Sequence, residues 1–108
     1  MSDDVVVVRD EIEAYSDGTV ARVRVLAVPE SETFPDGIKY AYHYGEAGAD
    51  DPIIRFDNHH GINELHLDSE VFEIDFPGLQ PLYRAWRAAL PRGETIRLVT
   101  MSRPQIQS

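Results

Sequence analysis

The sequence predicts an α+β fold: a curved, mostly antiparallel sheet of five to seven strands with one C-terminal amphipathic helix packed across one face. Three observations lead there. Apolar residues alternate with polar ones in short runs between Val5 and Phe76. The segments between those runs are too short for parallel crossovers, so the strands follow one another as a meander. One stripe alone has helical spacing: Leu79, Leu82, Tyr83, Trp86, Ala89 and Leu90.

The first strand is expected at Val5 to Val8, a β-branched run that the charged series Arg9-Asp10-Glu11 would end. After the turn at Ser16-Asp17-Gly18, Thr19 to Val28 reads as a strand with apolar residues on both faces, Arg22 and Arg24 lying with Val20, Leu26 and Val28. Pro29 to Gly37 is a loop. Ile38 to Tyr44 sets Ile38, Tyr40, Tyr42 and Tyr44 against Lys39, Ala41 and His43. Ile53 to Asn58 returns after a polar turn, and Glu64 to Leu67 and Val71 to Phe76 follow, with Leu65, Leu67, Phe72, Ile74 and Phe76 as apolar faces. Pro77-Gly78 precedes the helix Leu79 to Leu90, Pro81 fits only its first turn, and Pro91 and Gly93 stop it. Thr95 to Met101 is a last strand, and the ends, 1–4 and 102–108, are expected to be loose.

A chain of 108 residues has the length of a single domain, 1–108. It carries 19 Asp+Glu against 10 Lys+Arg, for a net charge of -9. Such a field repels nucleic acid unless a local basic patch overrides it. Lys39 is the one lysine beside nine arginines. Acidic excess with so little lysine resembles proteins of halophilic archaea, whose carboxylates keep the surface hydrated in concentrated salt. Zero cysteines exclude disulfides, thiolate metal sites and thiol nucleophiles. Met1-Ser2-Asp3-Asp4 lacks the basic start of a signal peptide and no apolar run is long enough to span a bilayer, so a cytoplasmic location is expected.

All four histidines fall within 24 positions, and the densest stretch is Arg55-Phe56-Asp57-Asn58-His59-His60-Gly61. Histidine titrates nearest neutrality, so such crowding marks a candidate site. Pairing Ile38–Tyr44 with Ile53–Asn58 so that their apolar faces coincide sets Lys39 beside Asp57, Ala41 beside Arg55 and His43 beside Ile53, with Asn58-His59-His60-Gly61 as the next turn. Lys39, His43, Arg55, Asp57, Glu64 and His66 then share the face away from the core.

Three chemistries suit that surface. Metal-independent RNA cleavage would use an imidazole to take the 2′-hydroxyl proton, a second acid to protonate the leaving oxygen, and Arg55 or Lys39 to stabilise the charged phosphorane. Metal binding would use His59, His60, His66 and Asp57, but adjacent His59-His60 side chains diverge in extended backbone and no spaced histidine pair is present, so no metal or other cofactor is expected. The third is purely structural: an Arg55–Asp57 ion pair and an Asx turn at Asn58.

The segments Lys39-Tyr40-Ala41-Tyr42-His43-Tyr44 and Ile54-Arg55-Phe56-Asp57-Asn58-His59-His60 resemble the TumE-like toxins of prokaryotic toxin-antitoxin pairs. That resemblance implies a toxin thought to act on RNA and an adjacent helix-turn-helix DNA-binding antitoxin that neutralises it. A homodimer stays open. Here His43, Arg55, Asp57 and His66 are the catalytic candidates, with His43 and His66 as acid and base and Asp57 orienting an imidazole. Lys39, Asn58, His59 and His60 are the substrate-binding candidates. The chain departs from the family pattern in its compact Asn58-His59-His60 and in a solitary His66 with no lysine beside it. A competing reading from another class is a non-catalytic interaction domain whose acidic surface or sheet edge binds a partner protein.

Overall fold

The computed structural model describes residues 5–90 and the backbone of residues 95–100. The expected loose ends and the helix stop at Pro91 and Gly93 lie outside the described residues. Seven strands form one antiparallel sheet: β1 (Val6–Tyr15), β2 (Thr19–Ala27), β3 (Ile38–Glu46), β4 (Ile54–Asp57), β5 (Glu64–Leu67), β6 (Glu70–Glu73) and β7 (Thr95–Thr100). Their order is β6-β5-β4-β3-β2-β1-β7. Six strands are therefore a meander, and helix α1 (Leu79–Ala89) returns the chain from the β6 edge so that β7 can pair with β1.

The core lies between the sheet and α1. Trp86 is fully buried and packs on Tyr42 and Tyr83, with ring centroids 5.7 and 5.9 Å away. Around them the alternating residues Val23, Val25, Tyr40, Tyr42, Tyr44 and Phe56 are buried, together with Leu82 and Leu90. Buried tyrosines need partners for their hydroxyls. Tyr42 Oη donates to the Leu79 carbonyl (3.1 Å), Tyr40 Oη to Asn63 Oδ1 (2.8 Å) and Tyr44 Oη to Thr19 Oγ1 (3.1 Å). Burial pushes the Tyr42 hydroxyl up to about 12. Among the described residues Trp86 Nε1 finds no acceptor, and leaving such a group unpaired costs about 1–3 kcal/mol.

Three expectations are corrected. Strand β1 does not end at Arg9 but runs on to Tyr15, because its charges are satisfied in place. Arg9 pairs with Glu11 (2.9 Å) and lies 4.3 Å over the Tyr83 ring, and Glu13 pairs with Arg87 of α1. The β3–β4 register is two residues from that expected: His43 faces Arg55 and Ala41 faces Asp57. Ile53 N–H bonds the Tyr44 carbonyl (2.9 Å), and a Cβ at Gly45 would sit tightly, 3.3 Å from the backbones of Ile53 and Pro52, so the strands begin to pair at Tyr44–Ile54. An even shift keeps every side chain on its face. Finally, Leu67 and Phe72 are exposed. A helix of 11 residues is about 16 Å long, whereas seven strands about 4.8 Å apart are about 29 Å across, so α1 leaves the β5–β6 hairpin uncovered.

Candidate functional site

On the face away from α1, cross-strand partners line up in a row. Arg22 of β2 faces His43 of β3, His43 faces Arg55 of β4, and Arg55 faces His66 of β5. Strand spacing places these backbones about 4.8 Å apart. Guanidinium and imidazole thus alternate over four strands. The next row, displaced by two residues, holds Asp10, Arg24, Ala41, Asp57 and Glu64.

Asp57 is the hub. Its side chain is 4% exposed and its Oδ2 accepts from Arg55 Nε at 2.7 Å, while Oδ1 accepts the His59 backbone N–H at 3.2 Å. Burial acts to raise this carboxyl, but the Arg55 and His59 hydrogen bonds outweigh it and hold the group below the usual carboxylate range. His66 Nε2 lies 3.2 Å from Asp57 Oδ2 and 3.4 Å from Glu64 Oε1, buried but aligned for a hydrogen bond with neither.

Arg55 links this hub to the other imidazoles. Its Nη2 donates to His59 Nε2 (2.6 Å) and its Nη1 lies 3.5 Å from His43 Nδ1. Both contacts require an unprotonated ring nitrogen. Desolvation by burial lowers His43, and the charges of Arg55 and Arg22 lower it further. His59 is also lowered, first by desolvation and then by Arg55 and Lys39 against the opposing pull of Asp57. The two rings are consequently neutral near pH 7.

Two depressions share Arg55 and His59 as a common wall. One, of about 370 Å³, is lined by Arg22, Arg24, Ala41, His43, Arg55 and His59. The other, of about 480 Å³, adds Lys39, Asp57, His60, Glu64 and His66 to the shared pair. Every catalytic candidate from the sequence therefore reaches this surface, as do Lys39, His59 and His60. Asn58 does not reach it in the same sense. Its carboxamide accepts from Tyr40 N–H and donates to the Ile38 carbonyl, both at 2.9 Å, replacing the ladder bonds where β4 ends.

Sequence reasoning missed Arg22 and Arg24. The alternation in β2 already set them apart from Val23 and Val25, and pairing β2 with β3 was the step that would have joined them to His43. A cation would find ligands in Asp57, Glu64 and His66, whose nearest donor atoms lie within 4.8 Å of one another. This set differs from the His59-His60 group considered above, and Arg55 competes for Asp57 within it. Among the described residues no helix is long and apolar enough to cross a membrane.

A family model described as Toxin TumE matches residues 1–92. No curated protein and no solved structure matches the chain.

Proposed function

The chain belongs to the TumE toxin family, and from that premise we propose that it is a ribonuclease toxin whose site is the Arg22–His43–Arg55–His66 row. The observation that carries this reading is the alternation of imidazole and guanidinium on one open face of a protein with net charge -9. Arg55, with Lys39 at the rim, holds the scissile phosphate. The bound phosphate draws Arg55 Nη1 away from His43 Nδ1, and the freed nitrogen takes the proton of the 2′-hydroxyl as that oxygen attacks phosphorus. His66 returns a proton to the departing 5′ oxygen from Nδ1, its charge balanced by Asp57 Oδ2 at 3.2 Å from the buried Nε2, and the products are a 2′,3′-cyclic phosphate end and a 5′-hydroxyl end. Arg55 gains strength as charge builds on the phosphorane, which is where its stabilisation accelerates the step. His59 and His60 bound the groove, and Asn58 fixes the backbone from which they project.

The family also implies an antitoxin partner. We assign that role to a helix-turn-helix DNA-binding protein encoded beside the toxin, with both acting in the cytoplasm. The interaction-domain reading is favoured by one observation, the exposed run Val5 to Val8 leading into and opening β1. Co-expression separates the two. Growth arrest by the chain alone, relieved both by the neighbouring gene product and by His43→Ala, is the expected result. A harmless chain that still binds its neighbour would leave only the interaction domain.

A further inference from the structure

Arg22 and Arg24 belong to no step of the proposed cleavage, yet they converge on the same depression as His43. Both guanidiniums draw on one carboxylate. Arg22 makes two hydrogen bonds of 3.2 Å to Asp10, and Arg24 Nε lies 3.9 Å from the same group. The Asp10 side chain is only 8% exposed, whereas those of Arg22 and Arg24 are 39% and 47% exposed. Two cations thus share one buried anion, and a positive charge is left facing solvent. Among the described residues no carboxylate lines the depression, and between the strands of Arg24 and Asp57 its lining includes Ala41, the smallest side chain in the second row.

The two clamps also hold the cations apart. Arg22 is tied towards β1 by Asp10 and Arg55 is tied by Asp57, with His43 between them. Their backbones are two strand steps apart, about 9.6 Å. Two separated, pre-oriented guanidinium positions suit two different anions better than one, because each is held to its own carboxylate.

We infer that Arg22 and Arg24 form a second phosphate subsite, which engages a phosphodiester adjacent to the one at Arg55 and makes a single RNA strand running across β2 to β5 the substrate. This rests on the ribonuclease reading for its first phosphate only. The Asp10 clamp positions the subsite, and the small side chain of Ala41 admits the strand.

The test is anisotropy titration of the full chain with 2′-O-methyl oligoribonucleotides of two and five nucleotides over a range of KCl concentrations. These probes cannot be cleaved through the 2′-oxygen, so binding is read apart from catalysis. The five-nucleotide probe should bind wild type at least about tenfold more tightly at low salt. Arg22→Ala and Arg24→Gln should each flatten the log–log salt dependence by about 0.7, the value of one lost phosphate contact on a single strand. Arg24→Gln is the safer variant, since its long contact to Asp10 contributes little to folding. Ala41→Leu should weaken binding with the slope retained, because every charge stays while the depression fills. Unchanged slopes in both arginine variants would overturn the subsite, as would equal affinity for the two probe lengths. Equal affinity and slope for DNA of the same sequence would overturn RNA as the occupant. Wild type that binds with these slopes but never cleaves unmodified RNA would remove the catalytic reading and leave the subsite standing.

Discussion

The two faces of this sheet are built by the same strands, one residue out of phase, and they solve opposite problems. Towards α1, Tyr40, Tyr42, Tyr44, Phe56 and Trp86 are dry, and the tyrosine hydroxyls are spent on internal partners. Towards solvent, Arg22, His43 and Arg55 are tied to carboxylates or to one another yet still line the open groove, and His66 lies beside two carboxylates without an aligned hydrogen bond. Burial with the tyrosine hydroxyls satisfied, Trp86 Nε1 being the exception, makes the first face a core. Incomplete satisfaction, held in place by buried Asp10 and Asp57, makes the second a place where an anion is useful.

Substitutions can break that contrast directly. Trp86→Ala should cost the most stability, about 3–5 kcal/mol, read by urea unfolding. A loss below about 1 kcal/mol would mean that the helix is not the lid of the core. Asp57→Asn sharpens the comparison because the residue is buried yet serves the open face. It should lower stability by about 1–3 kcal/mol by weakening the partner of Arg55 and His66, and it should also weaken cleavage. Full activity in that variant would remove Asp57 from the site. At the small end, Tyr42→Phe deletes only the hydroxyl bonded to the Leu79 carbonyl, and about 0.5–1.5 kcal/mol should be lost.

The pH dependence of stability should also come from the open face. The folded state binds a proton at His43 and His59 less readily than the unfolded chain, whose imidazoles titrate near about 6.5. Their contribution is therefore complete above that value and is lost as pH falls through it towards the lower folded values. Asp57, lowered from its ordinary value, adds a loss only below about pH 4. His43→Gln should flatten the fall of the unfolding free energy as pH drops below about 6.5, and an unaltered slope would deny that burial of this ring is costly when charged.

Strand phase was legible from alternation in β3 and β4, where Tyr40, Tyr42, Tyr44 and Phe56 had to share the apolar face. Register was less so. It depends on how tightly Gly45 to Pro52 can turn, which is a matter of backbone space at Gly45. The continuation of β1 through Arg9-Asp10-Glu11 needed partners on two different elements, Tyr83 of α1 and Arg22 of β2, so no local pattern announced it. Arg22 and Arg24 were visible as residues but became part of the site only through β2–β3 pairing. Asn58 carried the right chemistry for substrate, yet its amide is used by the backbone of β3 because the ladder stops one residue earlier. The acidic excess that resembles halophilic proteins makes its own prediction: unfolding midpoints should rise between low and multimolar KCl, and equal midpoints would contradict it.

Single-turnover cleavage of a labelled RNA strand in the presence of EDTA, with wild type, His43→Ala and Arg55→Ala matched for folded fraction, bears most directly on the alternating row. Wild type should cleave and leave 2′,3′-cyclic phosphate ends, while both variants fall by about 100-fold or more. Variants that cut as fast as wild type, or a wild type active only after a divalent metal is restored, would contradict it.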